Sequence, residues 1–286
     1  MVWRFRKVAL TVFLLGCAMS AHAQSQDVNA LHWAYSTYFG SGWYQIGDES
    51  NAFALRYVPR KELSQATIDD AGNRHVGIEL RFPVTLGLNN FPLDDLAGSV
   101  NPENFANVSI TPAVYLTWPV TERWTLRPIA ALGWGTLLNG DESAWTYWSG
   151  VRSQLVLLDR VPRVSLFNSI GFVGYAPSRG PSENFWPITT ALELRHPVFR
   201  ELAEGNWYLY WHLAYTWFQD DLDLVRQTTG TEPISDQWDF GFAFSREETP
   251  ISIWRLEFDR LGLSYRFSSD GELQGIGLVF SALFDQ

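Results

Sequence analysis

The feature that most constrains the fold is the unbroken alternation from His75 to Leu88. Val76, Ile78, Leu80, Phe82, Val84, Leu86 and Leu88 fall on one face, and His75, Gly77, Glu79, Arg81, Pro83, Thr85 and Gly87 on the other. Period two is the signature of a β-strand with two unlike sides. A strand in a soluble sandwich also alternates, but is usually about half this long.

Similar runs recur along the chain. Leu31, Trp33, Tyr35 and Phe39 open the series, followed by Phe53, Leu55 and Tyr57. After His75–Leu88 come runs over Val108–Val120, Trp124–Trp134, Tyr147–Leu157, Val164–Phe172, Ile188–Val198, Leu209–Trp217 and Trp238–Phe244. Trp254–Phe267 and Ile276–Phe284 end it, making twelve strands and no amphipathic helix. The connections alternate in length. Thr121–Arg123, Asp159–Pro162, Arg200–Gly205 and the Glu247–Thr249 region are short; Gly40–Ser50, Asn89–Phe105, Ala176–Phe185 and Asp220–Ile234 are long. Pro59–Asn73 and Asn139–Glu142 break that rule. Short turns at one end and long loops at the other mark a transmembrane barrel.

In lipid every backbone polar group must be paired, so a spanning sheet has to close. Its outside is then apolar while its inside is free to be polar. The polar face here carries Arg and Glu in mid-strand. The chain holds 14 Trp, and four of them are placed in two pairs: Trp118 and Trp124 flank a tight turn, Trp217 and Trp238 a long loop. Such pairs are the two aromatic girdles of a barrel. The expected fold is therefore all-β, a closed antiparallel transmembrane barrel of about twelve strands occupying residues 24–286. Pro83, Pro112 and Pro128 sit inside strands, where bulges or strand ends are expected. The apolar face changes parity near Asp259-Arg260, which implies a bulge or an added turn.

Residues 1–23 read as an export signal: Arg4, Arg6 and Lys7, then the apolar run Val8–Met19, then the small-x-small site Ala21-His22-Ala23. Leu14-Leu15-Gly16-Cys17 also resembles a lipoprotein box, but the three regions are complete without it. Cleavage after Ala23 removes the only cysteine, so disulfides and thiolate metal sites are excluded. It also removes those three cations and no acid, taking the formal net charge from −10 to −13. Nucleic acid is not an expected partner of so acidic a chain.

The inward register has the opposite sign. It carries Arg56, Arg81, Arg127, Arg152, Arg195, Arg255 and Arg266 against Glu79, Glu193, Asp239 and Glu257. The first expectation is structural: a ladder of Arg–carboxylate pairs bracing the cylinder. The second is a narrow pore that prefers anions. Glu79–Val84 is echoed by Glu193–Val198, which suggests shared lumen chemistry.

Gly133-Trp134-Gly135, Ser143–Trp148 and above all Trp254–Phe267 resemble the solitary outer-membrane autotransporter-like barrel family of Gram-negative bacteria. That resemblance implies a twelve-stranded translocator-like barrel without a passenger, and brings no catalytic residue. Gln24–Ala30, ahead of the first expected strand, is short for a passenger or a threading helix. The run ending at Phe284, followed by Asp285-Gln286, is similar to the signal read by the barrel-insertion machinery.

The expected role is a structural one or that of a passive pore, without enzymatic activity, cofactor or metal. The alternatives are an outer-membrane lipid hydrolase and a specific porin for acidic solutes. His32, His75, His196 and His212 lack a phospholipase context, and Asp220-Asp221-Leu222-Asp223 reads as a solvated acidic loop. Outer-membrane lipid, lipopolysaccharide bridged by divalent ions and the insertion machinery are the expected partners of a monomer.

Overall fold

The computed structural model describes residues 38–47, 50–89, 105–138, 142–179, 181–198, 206–226, 230–246, 250–253 and 256–285. The export signal and the expected strand at Leu31–Phe39, up to residue 37, lie outside them.

The strands are β1 (Gly42–Ile46), β2 (Ser50–Tyr57), β3 (Arg60–Ser64), β4 (Thr67–Ile68), β5 (Arg74–His75), β6 (Gly77–Arg81) and β7 (Val84–Asn89). Then come β8 (Phe105–Ile110), β9 (Ala113–Pro119), β10 (Trp124–Leu137), β11 (Ser143–Leu158), β12 (Arg163–Pro177), β13 (Glu183–Phe185) and β14 (Pro187–Val198). The last are β15 (Trp207–Arg226), β16 (Gly230–Arg246), β17 (Ile251–Ile253), β18 (Leu256–Phe258), β19 (Leu261–Phe267) and β20 (Leu273–Val279). Antiparallel pairing runs β1–β2–β7–β8–β10–β11–β12–β14–β15–β16–β19–β20 and returns to β1, a closed barrel of twelve strands.

Its surface is inverted relative to a soluble protein. Leu132 is 59% exposed, Trp145 56% and Phe240 49%, while Ala54, Thr146 and Ala243 facing inward are at most 1% exposed. Large apolar side chains on the outside suit a lipid solvent, where the outer face gains by staying apolar; the inside mixes small and polar residues with a buried apolar cluster.

Three wall strands are each broken once, and the breaks line up. The carbonyl of Pro59 accepts from the Phe82 amide at 2.9 Å, Pro83 from Thr111 at 2.9 Å, and Pro112 from Leu132 at 3.1 Å. A proline has no amide to give, so a lone one would orphan a neighbour's carbonyl. Aligned in adjacent strands, each break still supplies an acceptor to the next. Pro83 and Pro112 thus lie between strand segments, as expected. Pro128 stays inside β10 opposite Val151, and the β9–β10 ladder skips it and Arg127.

Three expectations are corrected, and the open choice at Asp259-Arg260 is resolved as an added turn. The first described wall strand is Gly42–Ile46, within the stretch that the alternation assigns to a loop. Asp220–Ile234 is not a long loop: β15 and β16 extend to Arg226 and Gly230, past a register shift between Trp217 and Leu222. Parity changes at Asp259-Arg260 because β17 and β18 form a separate hairpin, which leaves the strand count at twelve. The last strand ends at Val279, not Phe284; Leu283–Asp285 make a 3-10 turn instead.

Candidate functional site

Both described ends of the chain lie inside the barrel. At the loop end, Phe39 is 1% exposed and its ring meets those of Tyr38 and Tyr44, while Tyr38 meets Phe185 and Phe218 edge-on, which also meet each other. Leu222, Ile234 and Leu273 complete this apolar cluster. The Thr189 and Thr216 hydroxyls bond each other at 2.8 Å, and Tyr44 Oη donates to the Phe39 carbonyl at 2.7 Å. At the turn end, Leu283–Asp285 fold back into the lumen, and Phe284 is 6% exposed against Phe167.

Arginines hold both ends. Arg81, 3% exposed, grips Glu79 with two nitrogens (3.0 and 3.1 Å) and Asp285 Oδ1 with a third bond of 2.9 Å. Its Nη1 also donates to the Asp285 carbonyl at 2.5 Å. Arg127 pairs with the same Asp285 oxygen, donates to Thr117 Oγ1 at 3.1 Å and lies 4.1 Å over the Phe284 ring. Arg152 donates to the Phe284 carbonyl at 3.1 Å, with Trp148 under its guanidinium at 4.6 Å. Charge-assisted bonds of this kind are the strong ones. At the other end, Arg266 bonds Asp239 Oδ2 at 2.5 Å, the Phe39 carbonyl, and Tyr44 Oη at 3.3 Å.

Between the two plugs lies a cavity of about 150 Å³ lined by Arg56, Arg152, Arg266, Trp148, Phe167 and Phe284 among others. Alternation alone pointed to most of these charges. It did not reveal their partners. The echo of Glu79–Val84 in Glu193–Val198 does not carry shared chemistry: Glu79 pairs within its own strand, whereas Glu193 pairs with Arg260 at 2.5 Å. Arg195 instead stacks on Tyr208 at 3.7 Å. Glu257 is exposed on the β17–β18 hairpin, which pairs with no wall strand, so it is not in the lumen. Arg255 lies outside the described residues. Trp118, Trp124 and Trp217 are 45%, 38% and 45% exposed, as girdle residues would be; Trp238 is half-buried against Tyr215.

Sequence reasoning passed over three lumen residues: Arg260, Asp285 and His212. His212 Nε2 lies 3.0 Å from Asp239 Oδ1, and the ring reaches across Gly241 toward Ser264. The set has the composition of a hydrolytic triad, but the Ser264 hydroxyl makes no hydrogen bond among the described residues. Among the described residues no group of three or more His, Cys, Asp or Glu could hold a metal ion.

No family model matches the chain, and no curated protein does. The autotransporter-like resemblance therefore gains nothing from either comparison. Among solved structures, the chain is similar to the KdgM porin in complex with disordered oligogalacturonate: 9% identity, TM-score 0.41, covering 84% of this chain and 98% of that one. It is also similar to the siderophore receptor PirA from Pseudomonas aeruginosa, at 10% identity and TM-score 0.34. That match covers 82% of this chain but 39% of the receptor.

Proposed function

We propose that this protein is an outer-membrane pore, not an enzyme, that admits small acidic solutes through an arginine-lined lumen narrowed at rest by Tyr38-Phe39 at one end and Leu283–Asp285 at the other. One observation carries the reading: Arg81 and Arg127 converge on a single carboxylate, that of Asp285, which belongs to a short tail and not to the wall. A site that holds a carboxylate from outside the wall is chemically ready for a carboxylate from solution. The inverted surface supports placement in lipid, and the Arg excess raises the potential inside a low-dielectric wall. Bracing the cylinder is a further role of the Glu79–Arg81, Glu193–Arg260 and Asp239–Arg266 pairs.

The test is the reversal potential of the refolded protein in a planar bilayer under a KCl gradient. Anion preference is expected whenever the tail releases. Cation preference would overturn the reading.

A second reading has one observation in its favour. The Tyr38-Phe39 segment lies inside the lumen, which is where a translocator-like barrel would carry an N-terminal chain. Deleting residues 24–37 separates the two: a translocator role predicts a large gain in conductance, while the acidic-solute role leaves the tail as the main barrier.

A further inference from the structure

Arg56 and Arg152 differ from four of the other lumen arginines. Arg81, Arg127, Arg260 and Arg266 each meet a carboxylate. Arg56 and Arg152 meet none among the described residues. Arg152 has only a carbonyl and the face of Trp148. The Arg56 Nε is buried with no hydrogen-bond partner. Both side chains line the cavity between the plugs. A buried cation without a counter-charge is costly unless something answers it.

The rest of the lining is mixed: Asp239, already paired with Arg266, lies on it with several hydroxyls and amides, while Trp148, Phe167, Phe284 and Leu283, with Ala191 and Ala214, supply an apolar part. The volume, about 150 Å³, matches that of apolar cavities able to hold benzene. Resting on the acidic-solute reading, we infer that this cavity is a binding site for a small monocarboxylate with a flat apolar body, its carboxylate held by Arg56 and Arg152 and its body seated among Trp148, Phe167 and Phe284. The tail supplies the floor, so the solute reaches the site when Leu283–Asp285 swing out.

The probe is benzoate, measured by calorimetry and equilibrium dialysis on the refolded full barrel. Saturable binding is expected, weakened about tenfold or more by Arg56→Gln, since a charged hydrogen-bond donor to the carboxylate is lost. Benzyl alcohol, of the same shape but uncharged, should bind about tenfold or more weakly for the same reason. Inorganic phosphate, which lacks the apolar body, should not displace benzoate at equal concentration. Arg56→Gln leaves both chain ends in place, because the Arg56 guanidinium contacts neither of them among the described residues. Arg152→Gln is the second variant should the first fail to shift as a folded band on an unboiled gel. Benzoate binding unchanged in both variants, or equalled by benzyl alcohol or phosphate, overturns the site. Anion-selective conduction without benzoate binding removes this inference and leaves the pore reading standing; benzoate binding with cation selectivity does the reverse.

Discussion

Asp285 Oδ1 lies 2.9 Å from the guanidinium of Arg81, a residue 204 positions earlier in the chain. The bond ties the last described turn to a wall strand on the far side of the sequence, and it closes the turn end of the lumen. Asp285→Ala leaves Arg81 with Glu79 but frees the tail. Single-channel conductance should rise from near zero, and the anion preference should sharpen because one lumen carboxylate is gone. Unchanged conductance would mean that the tail is no barrier.

The same carboxylate sets a pH dependence. Burial alone would raise its pKa, but Arg127 and Arg81 outweigh that and hold it below the usual carboxylate range. A group whose folded pKa is depressed contributes stability above its unfolded value, and loses it as pH falls through the folded one. The tail should therefore stay docked from neutral pH down through the ordinary carboxylate range, and release only below it. Conductance recorded against pH checks this; opening near pH 5 would contradict it.

Glu193 and Arg260 are a buried pair, 7% and 12% exposed at their side chains. Removing one partner strands the other, at about 3–5 kcal/mol. Glu193→Gln should lower the temperature at which the folded gel band converts to the unfolded one. Arg195→Gln, which removes a cation from over Tyr208, should lower it less.

Gly241 is required by close approach. A Cβ there would lie 2.5 Å from His212 Cε1 and 2.7 Å from Ser264 Cβ. Gly241→Ala should push His212 off Asp239 and cost about 1–3 kcal/mol, as overpacking does. The His212 ring signals in an NMR spectrum should shift, whereas Gly271→Ala in the loop, with nothing near its Cβ, should leave them in place.

Export gives the simplest check. The mature protein should begin at Gln24 by mass spectrometry, fractionate with outer membranes and run anomalously when unboiled. An inner-membrane protein retaining Met1 would refute it.

Alternation made the wall legible because lipid and lumen impose opposite demands on successive residues. Arg81, Glu193 and Asp239 were found that way. Asp285 was not, since its role depends on the chain leaving the sheet after Val279, while Phe280, Ala282 and Phe284 keep the apolar parity of the strand behind them. Gly42–Ile46 was missed because Gly42 and Gln45 dilute its pattern, and the stronger alternation of Leu31–Phe39 lay next to it. In the β15 extension the acids at 220, 221 and 223 suggested a loop. Leu222, buried with Ile234, was the available sign of paired strand. The pairing of Glu193 with Arg260 depends on three-dimensional proximity alone, and no local spacing announces it.

The sheet also has a place where it stops. Of the wall segments, β3 pairs with β6 on one side and with no described strand on the other. All five of its residues are exposed, and Arg60, Lys61 and Glu62 lead them. An open strand edge is a template on which another copy could add its own, the first step of run-on aggregation. Three consecutive charges, with Arg60 tied to Asp259 at 2.7 Å, make that edge a poor template. Replacing them with Thr or Val would turn a self-limiting sheet into one whose edge recruits its neighbours once the barrel has formed.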